Sequence, residues 1–173
     1  GQIITESDDI LFALDQTFGP LNNKALADDD VLVFRRLERK LFGAWCGWLC
    51  QRHFTPIHEA RAQQVFESVA KEVDAALGSS SGPFMLGNEY SIADIIFTPY
   101  IERMSASLTY YKGYSIRKQN PNINAWFEAI EKREVYLGWQ SDFHTHVHDL
   151  PPQMGSCNSN GKKEALAMQD AID

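Results

Sequence analysis

The stretch that most constrains the fold runs from Gly82 to Leu108, GPFMLGNEYSIADIIFTPYIERMSASL. A Ser- and Gly-rich loop at residues 79–82 gives way there to a strongly apolar helix. Ser91 stands three residues before Asp94, the acidic variant of a capping box. In such a box the Ser91 hydroxyl accepts the free N–H of Asp94, and the Asp94 carboxylate reaches back to the N–H of Ser91. Tyr90 and Ile95 fit a hydrophobic staple across this start. Ile92, Ile95, Ile96, Tyr100, Met104 and Leu108 follow at helical spacing, with apolar Phe97 and Ile101 outside that stripe. A helix that is apolar on more than one face belongs in the middle of a bundle. Asp94 is then carried inward, so the cap must satisfy its carboxylate.

Amphipathic patterns flank this helix on both sides. Thr5-Glu6-Ser7 begins one with Ile10, Leu11, Leu14 and Phe18 on a face, ended near Gly19-Pro20; Gln2-Ile3-Ile4 before it reads as a short strand. After a linker carrying Asp28-Asp29-Asp30, a long helix is expected over 30–52 with Phe34, Leu37, Leu41, Trp45, Trp48 and Leu49 as its stripe. Pro56 suits the first turn of the next, expected over 57–77, with Val65, Phe66, Val69, Val73 and Leu77 buried. The two make an antiparallel hairpin. Residues 110–120 read as a polar connection, 121–133 as a short helix turning Ile123, Trp126, Phe127 and Ile130 inward. Residues 135–150 start helical and become irregular; from Pro151 the chain is a Pro-, Gly-, Ser- and Asn-rich flexible tail, with a short helix over 162–172.

Composition closes off other classes. In 173 residues, 44% apolar content exceeds what a disordered chain carries. A net charge of −7 without a long basic run argues against nucleic acid as a partner. No apolar run approaches the roughly 20 residues of a membrane span, and no secretory signal is visible at the start. An odd set of three cysteines in an unstapled chain favours a reducing intracellular compartment. That is the cytoplasm, or a plastid or other organelle if a leader has been removed.

Gly87-Asn88-Glu89-Tyr90-Ser91-Ile92-Ala93-Asp94, preceded by Phe84-Met85-Leu86, resembles the signature of the helical C-terminal domain of glutathione S-transferases. There a Ser/Thr-x-x-Asp box opens the central helix. Pro99 within the helix is similar to the omega, dehydroascorbate-reductase and chloride-channel-like branches, and NPNINAWFEAIEKRE to the penultimate helix of the domain. ITESDDILFALDQTFGP resembles the end of the thioredoxin-like N-terminal domain. The resemblance implies an all-α chain: residues 1–21 as a remnant of the thioredoxin-like α/β domain, residues 22–150 as the helical domain, and 151–173 as the tail. It further implies a glutathione-dependent transferase or reductase acting on an electrophile. The alternative is a non-catalytic module that assembles with a protein partner or a second copy.

The residues that could carry chemistry divide as follows. By the resemblance, Glu6 and Ser7 are the glutathione contacts: a hydroxyl and free N–H groups at a helix start hold a carboxylate, and an adjacent Glu holds an ammonium. The competing reading is that Thr5 or Ser7 merely caps the helix. The Cys, Ser or Tyr that activates the glutathione thiol, and the cis-proline that aligns the tripeptide, belong in this family to the N-terminal part; neither is assignable here, and this chain alone is expected to be inactive. Cys46 and Cys50, one helical turn apart, read as buried inert thiols or, against unfavourable geometry, a redox pair. Cys157 would be the reactive thiol by exposure. His144, His146 and His148 alternate beside Asp142 and Asp149. In an extended segment they would face one way as a zinc or copper site; otherwise they belong to a polar segment laid over the bundle, and no metal is expected. Arg35, Arg36, Arg39 and Lys40 make a basic face, either solvated or turned toward an acidic substrate.

Overall fold

The Asp94 carboxylate is fully buried and accepts four hydrogen bonds. Oδ2 takes the Ser91 N–H and the Ser91 hydroxyl, each at 2.9 Å. Oδ1 takes the Met85 N–H at 2.9 Å and the Trp126 indole N–H at 2.8 Å. The Asp94 amide itself lies 3.1 Å from the Ser91 carbonyl, within a formed capping box. The box thus does more than start a helix: one buried anion ties that helix to the loop before it and to a helix more than thirty residues on.

The computed structural model describes residues 3–173. Gln2 of the expected strand lies outside them, and Ile3 and Ile4 are irregular. In chain order the helices are α1 (Ser7–Phe18), α2 (Asp29–Leu49), α3 (Pro56–Gly78), α4 (Ile92–Lys112), α5 (Ile116–Gln119), α6 (Pro121–Ile130), α7 (Glu134–Leu137), α8 (Phe143–His148), α9 (Leu150–Met154) and α10 (Lys163–Ile172). Among the described residues there is no β-sheet, and the fold is all-α. No helix is long and apolar enough to cross a membrane.

Helices α2 and α3 are antiparallel: Lys40 reaches Glu72 at 2.6 Å, while Trp48, further along α2, reaches Glu59, earlier on α3, at 2.7 Å. Helix α4 lies against α2, and α6 against α3. Trp45, Trp48, Trp126, Phe66 and Phe97 fill the space between them. Trp48, Phe66 and Tyr114 meet edge to face or tilted at 5.3–5.9 Å between centroids, geometries that add to the area they bury. Trp45 donates its indole N–H to Ser107 Oγ at 3.1 Å, so its polar tip is satisfied inside. Asp74 on α3 takes the first amides of α6, Asn122 N–H at 2.8 Å and Ile123 N–H at 2.9 Å, and so caps a neighbouring helix.

Several expectations are corrected. Val65 is half-exposed, at the rim of an open groove between α2 and α3. The expected polar connection over 110–120 is the end of α4 followed by α5, with Tyr110, Tyr114 and Ile116 buried. Residues 151–173, expected as a flexible tail, are bound down. Asn158 N–H bonds to the Leu49 carbonyl at 2.9 Å, Asn160 N–H bonds to the Tyr111 carbonyl at 3.1 Å, and α10 packs along α4 with Ala165 buried. Gly113 permits this. It ends α4 at φ 63°, and a Cβ there would come within 2.6 Å of Glu164.

Replacing Asp94 by Ala strands four buried donors, each costing about 1–3 kcal/mol when left unpaired. We expect a melting temperature lower by roughly 8 °C or more for a chain of this size, and a smaller fall for Trp126→Phe, which strands none. Calorimetry on both variants checks this; a midpoint for Asp94→Ala within a degree or two of wild type sinks it.

Candidate functional site

Helix α1 buries none of its residues, and its apolar side chains stay largely open: Phe12 is 53% and Phe18 81% exposed. Glu6 takes the N-cap position with extended backbone, and no side chain caps the helix. Neither Thr5 nor Ser7 therefore fills the capping role that competed with ligand binding. Glu6 and Ser7 are both exposed. Ser7 also stands at the edge of a cavity of about 230 Å³ between α1, α2 and α4, where Arg35, Glu38, Arg39 and Tyr100 meet it.

The charges around this cavity are ordered by α2. Arg35 pairs with Asp8 across from α1. Arg39 grips its neighbour Glu38 with two bonds, Nε to Oε2 at 2.5 Å and Nη2 to Oε1 at 2.7 Å. The Arg39 guanidinium lies 4.7 Å over the Tyr100 ring and 5.0 Å over Phe42. Glu38 is buried, and that burial pushes its carboxyl above the ordinary value of 4.5, with Asp8 adding and Arg39 and Arg35 opposing. Lys40 is occupied by Glu72, and Arg36 Nε by the Leu32 carbonyl at 3.1 Å. The basic face read from the sequence is thus divided, and Arg35 and Arg39 alone of the four turn toward the cavity.

The other candidates fall elsewhere. Residues 143–148 are helical, so His144 and His148 stack with ring centroids 4.1 Å apart while His146, two positions from each, points to another side. The extended metal-binding arrangement does not form. Among the described residues no three His, Cys, Asp or Glu side chains are grouped to hold a metal ion. His148 instead reaches Asp173 at 3.1 Å, and burial lowers the pKa of His146. At the far end of α2 a larger cavity of about 670 Å³ is lined by Arg52, His53, Glu59, Lys112, Cys157 and Lys162 among others. Lys112 is buried there and meets both Glu59 oxygens at 3.0 and 3.1 Å. The sequence carried no signal for this ion pair beyond a lone Lys at the end of an apolar helix.

Because Glu38 is held protonated more readily when folded than unfolded, the native state binds the extra proton, and stability falls as pH rises above 4.5. Glu38→Gln removes that dependence. The melting temperature of wild type minus that of Glu38→Gln should therefore decline from pH 4.5 toward neutrality. A difference that grows with pH would mean that Arg39 outweighs burial.

The architecture has known counterparts. Residues 56–129 match the glutathione S-transferase C-terminal domain family. Protein IN2-1 homolog B of Oryza sativa subsp. indica is 35% identical over 72 residues, covering 41% of this chain and 29% of that protein. Glutathione S-transferase L1 of Arabidopsis thaliana is 30% identical over 151 residues, covering 82% of this chain and 58% of its own length. The chain therefore spans less than two thirds of the length of each of these relatives. Leishmania TDR1, described as a unique trimeric glutathione transferase, shares the fold with a TM-score of 0.69 at 22% identity, over 89% of this chain and 37% of the other. By its helical domain and by these relatives, the chain belongs to the glutathione S-transferase family.

Proposed function

We propose that these residues are the larger part of a glutathione-dependent transferase or reductase, in which Glu6 and Ser7 bind the γ-glutamyl end of glutathione. The observation that carries this reading is the open start of α1, whose first-turn amides have no side-chain cap and sit beside the exposed Ser7 hydroxyl and Glu6 carboxylate. Amides and hydroxyl suit the glutathione α-carboxylate, and the Glu6 carboxylate suits its ammonium. The cavity between α1, α2 and α4 is the place for an electrophile. Its walls are apolar Ile10, Leu11, Ile95, Ile96 and Pro99, with Arg39 fixed at one side. No group that would lower the glutathione thiol pKa is assigned among the described residues of this site. A reducing intracellular compartment suits both this co-substrate and the three free cysteines.

Glu6 and Ser7 supply one end of a binding site only. A charge-assisted pair contributes about 1.5–3 kcal/mol per bond, and association costs at least as much. The 173-residue chain should bind glutathione no better than about millimolar and show no conjugating activity. Isothermal titration and a chromogenic conjugation assay check this. Micromolar binding abolished by Ser7→Ala would mean that the site is complete without further residues.

The second reading is a non-catalytic module that assembles through α1, and the exposed Phe12 and Phe18 favour it. Trp45 of α2 is buried and takes no part in such a surface. Under this reading Phe12→Glu should shift the chain toward monomer in size-exclusion chromatography with light scattering. A wild-type chain that is already monomeric and binds no hydrophobic dye counts against it.

A further inference from the structure

The three cysteines, far apart in sequence, gather at the C-terminal end of α2. Cys46 and Cys50 lie one turn apart on α2, and Cys50 is its last, C-capping residue. Cys157 arrives from the segment between α9 and α10, and its placement is fixed by both neighbours. Ser156 Oγ donates to the Cys50 carbonyl at 2.7 Å, Asn158 N–H to the Leu49 carbonyl at 2.9 Å, and Asn158 Nδ2 to the Cys50 carbonyl at 3.0 Å. With the residues on either side anchored to the end of α2, the Cys157 thiol is held against Cys50. Both are half-buried rather than sealed in the core, and Cys157 lines the cavity of about 670 Å³.

We propose that Cys50 and Cys157 are a dithiol–disulfide couple that exchanges with low-molecular-weight disulfides entering from this cavity, and that its oxidation locks the segment before α10 onto the end of α2. Cys50 is the attacking thiol. Hydrogen bonds from Cys157 and then from Cys46, with the nearby Lys112 charge, hold its pKa well below the usual thiol range. Burial opposes a thiolate there, and these three groups outweigh it. Cys46 and Cys157 are shifted the other way, chiefly because each bonds to Cys50. Cys46 stays the donor and not the partner, since cysteines one turn apart on a rigid helix meet disulfide geometry poorly, whereas Cys157 sits on a loop.

In the exchange the Cys50 thiolate attacks one sulfur of R–S–S–R, forms Cys50–S–S–R and expels R–S⁻. Cys157 then loses its proton, attacks the Cys50 sulfur of the mixed disulfide and expels the second R–S⁻. Two cysteine thiols are oxidised, one disulfide is reduced to two thiols, and the two cysteine protons end on the departing thiolates.

The test uses the reduced 173-residue chain and hydroxyethyl disulfide, an uncharged probe with nothing to offer Glu6 and Ser7. Remaining thiols are blocked, the chain is digested and the peptides are mapped by mass spectrometry. The expected product is a Cys50–Cys157 linked peptide with two mercaptoethanol molecules released per chain. Cys157→Ser should stall with one mercaptoethanol on Cys50, and Cys50→Ser should react more slowly by about tenfold or more. Circular dichroism of both variants confirms that they fold. The proposal is overturned by a Cys46–Cys50 bond, by an adduct on Cys157 with Cys50 free, or by a folded chain that stays unreactive while the urea-unfolded chain exchanges.

Discussion

A single buried carboxylate holds the centre of this molecule together. Among the described residues Asp94 forms no ion pair; its carboxylate is met by two backbone amides, a hydroxyl and an indole. An ionised group in the interior survives only when such donors replace the water it has lost. Because the four donors come from the loop, the cap and α6, each must be in place for the others to be worth forming. The start of α4, the turn at Met85 and the docking of Trp126 are therefore one cooperative unit. The rest of the fold is laid out around α4, with α2, α5, α8 and α10 against it, α3 packed on α2, and α6 on α3.

What the sequence showed of this unit was its local half. Ser91 and Asp94 are three residues apart, so the box is written in the spacing; Met85 and Trp126 lie 9 and 32 residues from Asp94 and leave no periodic trace. The same divide runs through the molecule. The stripes of α2, α4 and α6 were legible because burial of one face repeats every three to four residues. The capping of α6 by Asp74 and the burial of Lys112 by Glu59 were not, because each joins helices that only the tertiary packing brings together. At the candidate site, Glu6 and Ser7 were visible as residue types at a helix start. Arg35 and Arg39 were visible only as members of a basic run, and which of its four charges faced inward depended on where α1 came to lie.

The C-terminal segment was misread for a related reason. Pro, Gly, Ser and Asn are the residues of loops, and their abundance from Pro151 suggested mobility. Here the same polar side chains finish other helices. The last carbonyls of α2 and α4 have no partners within those helices, and Ser156, Asn158 and Asn160 supply the missing donors. Composition reports that a segment cannot build a core; it does not report whether neighbouring helix ends are waiting for its hydrogen bonds.

These two terminal arrangements give α2 its particular character. Its middle is core, with Leu41, Trp45, Trp48 and Leu49 buried. Its polar chemistry is pushed to the two ends, Arg35 to Arg39 at one and Cys50 with its thiol neighbours at the other, on the order of 20 Å apart along the helix. The charges near each end are paired on their own side: Arg39 with Glu38, Lys112 with Glu59. The two cavities share no lining residue, so a change at the thiols reaches the other end of α2 through the Arg39 charge, which acts on Cys46, or by moving α2 as a body. The core that grips α2 through three tryptophans and Phe66 resists that motion, because close-packed interiors shift between discrete arrangements and do not deform smoothly. The two ends are therefore joined by a rigid helix and by the Arg39 charge, which acts on the Cys46 thiol.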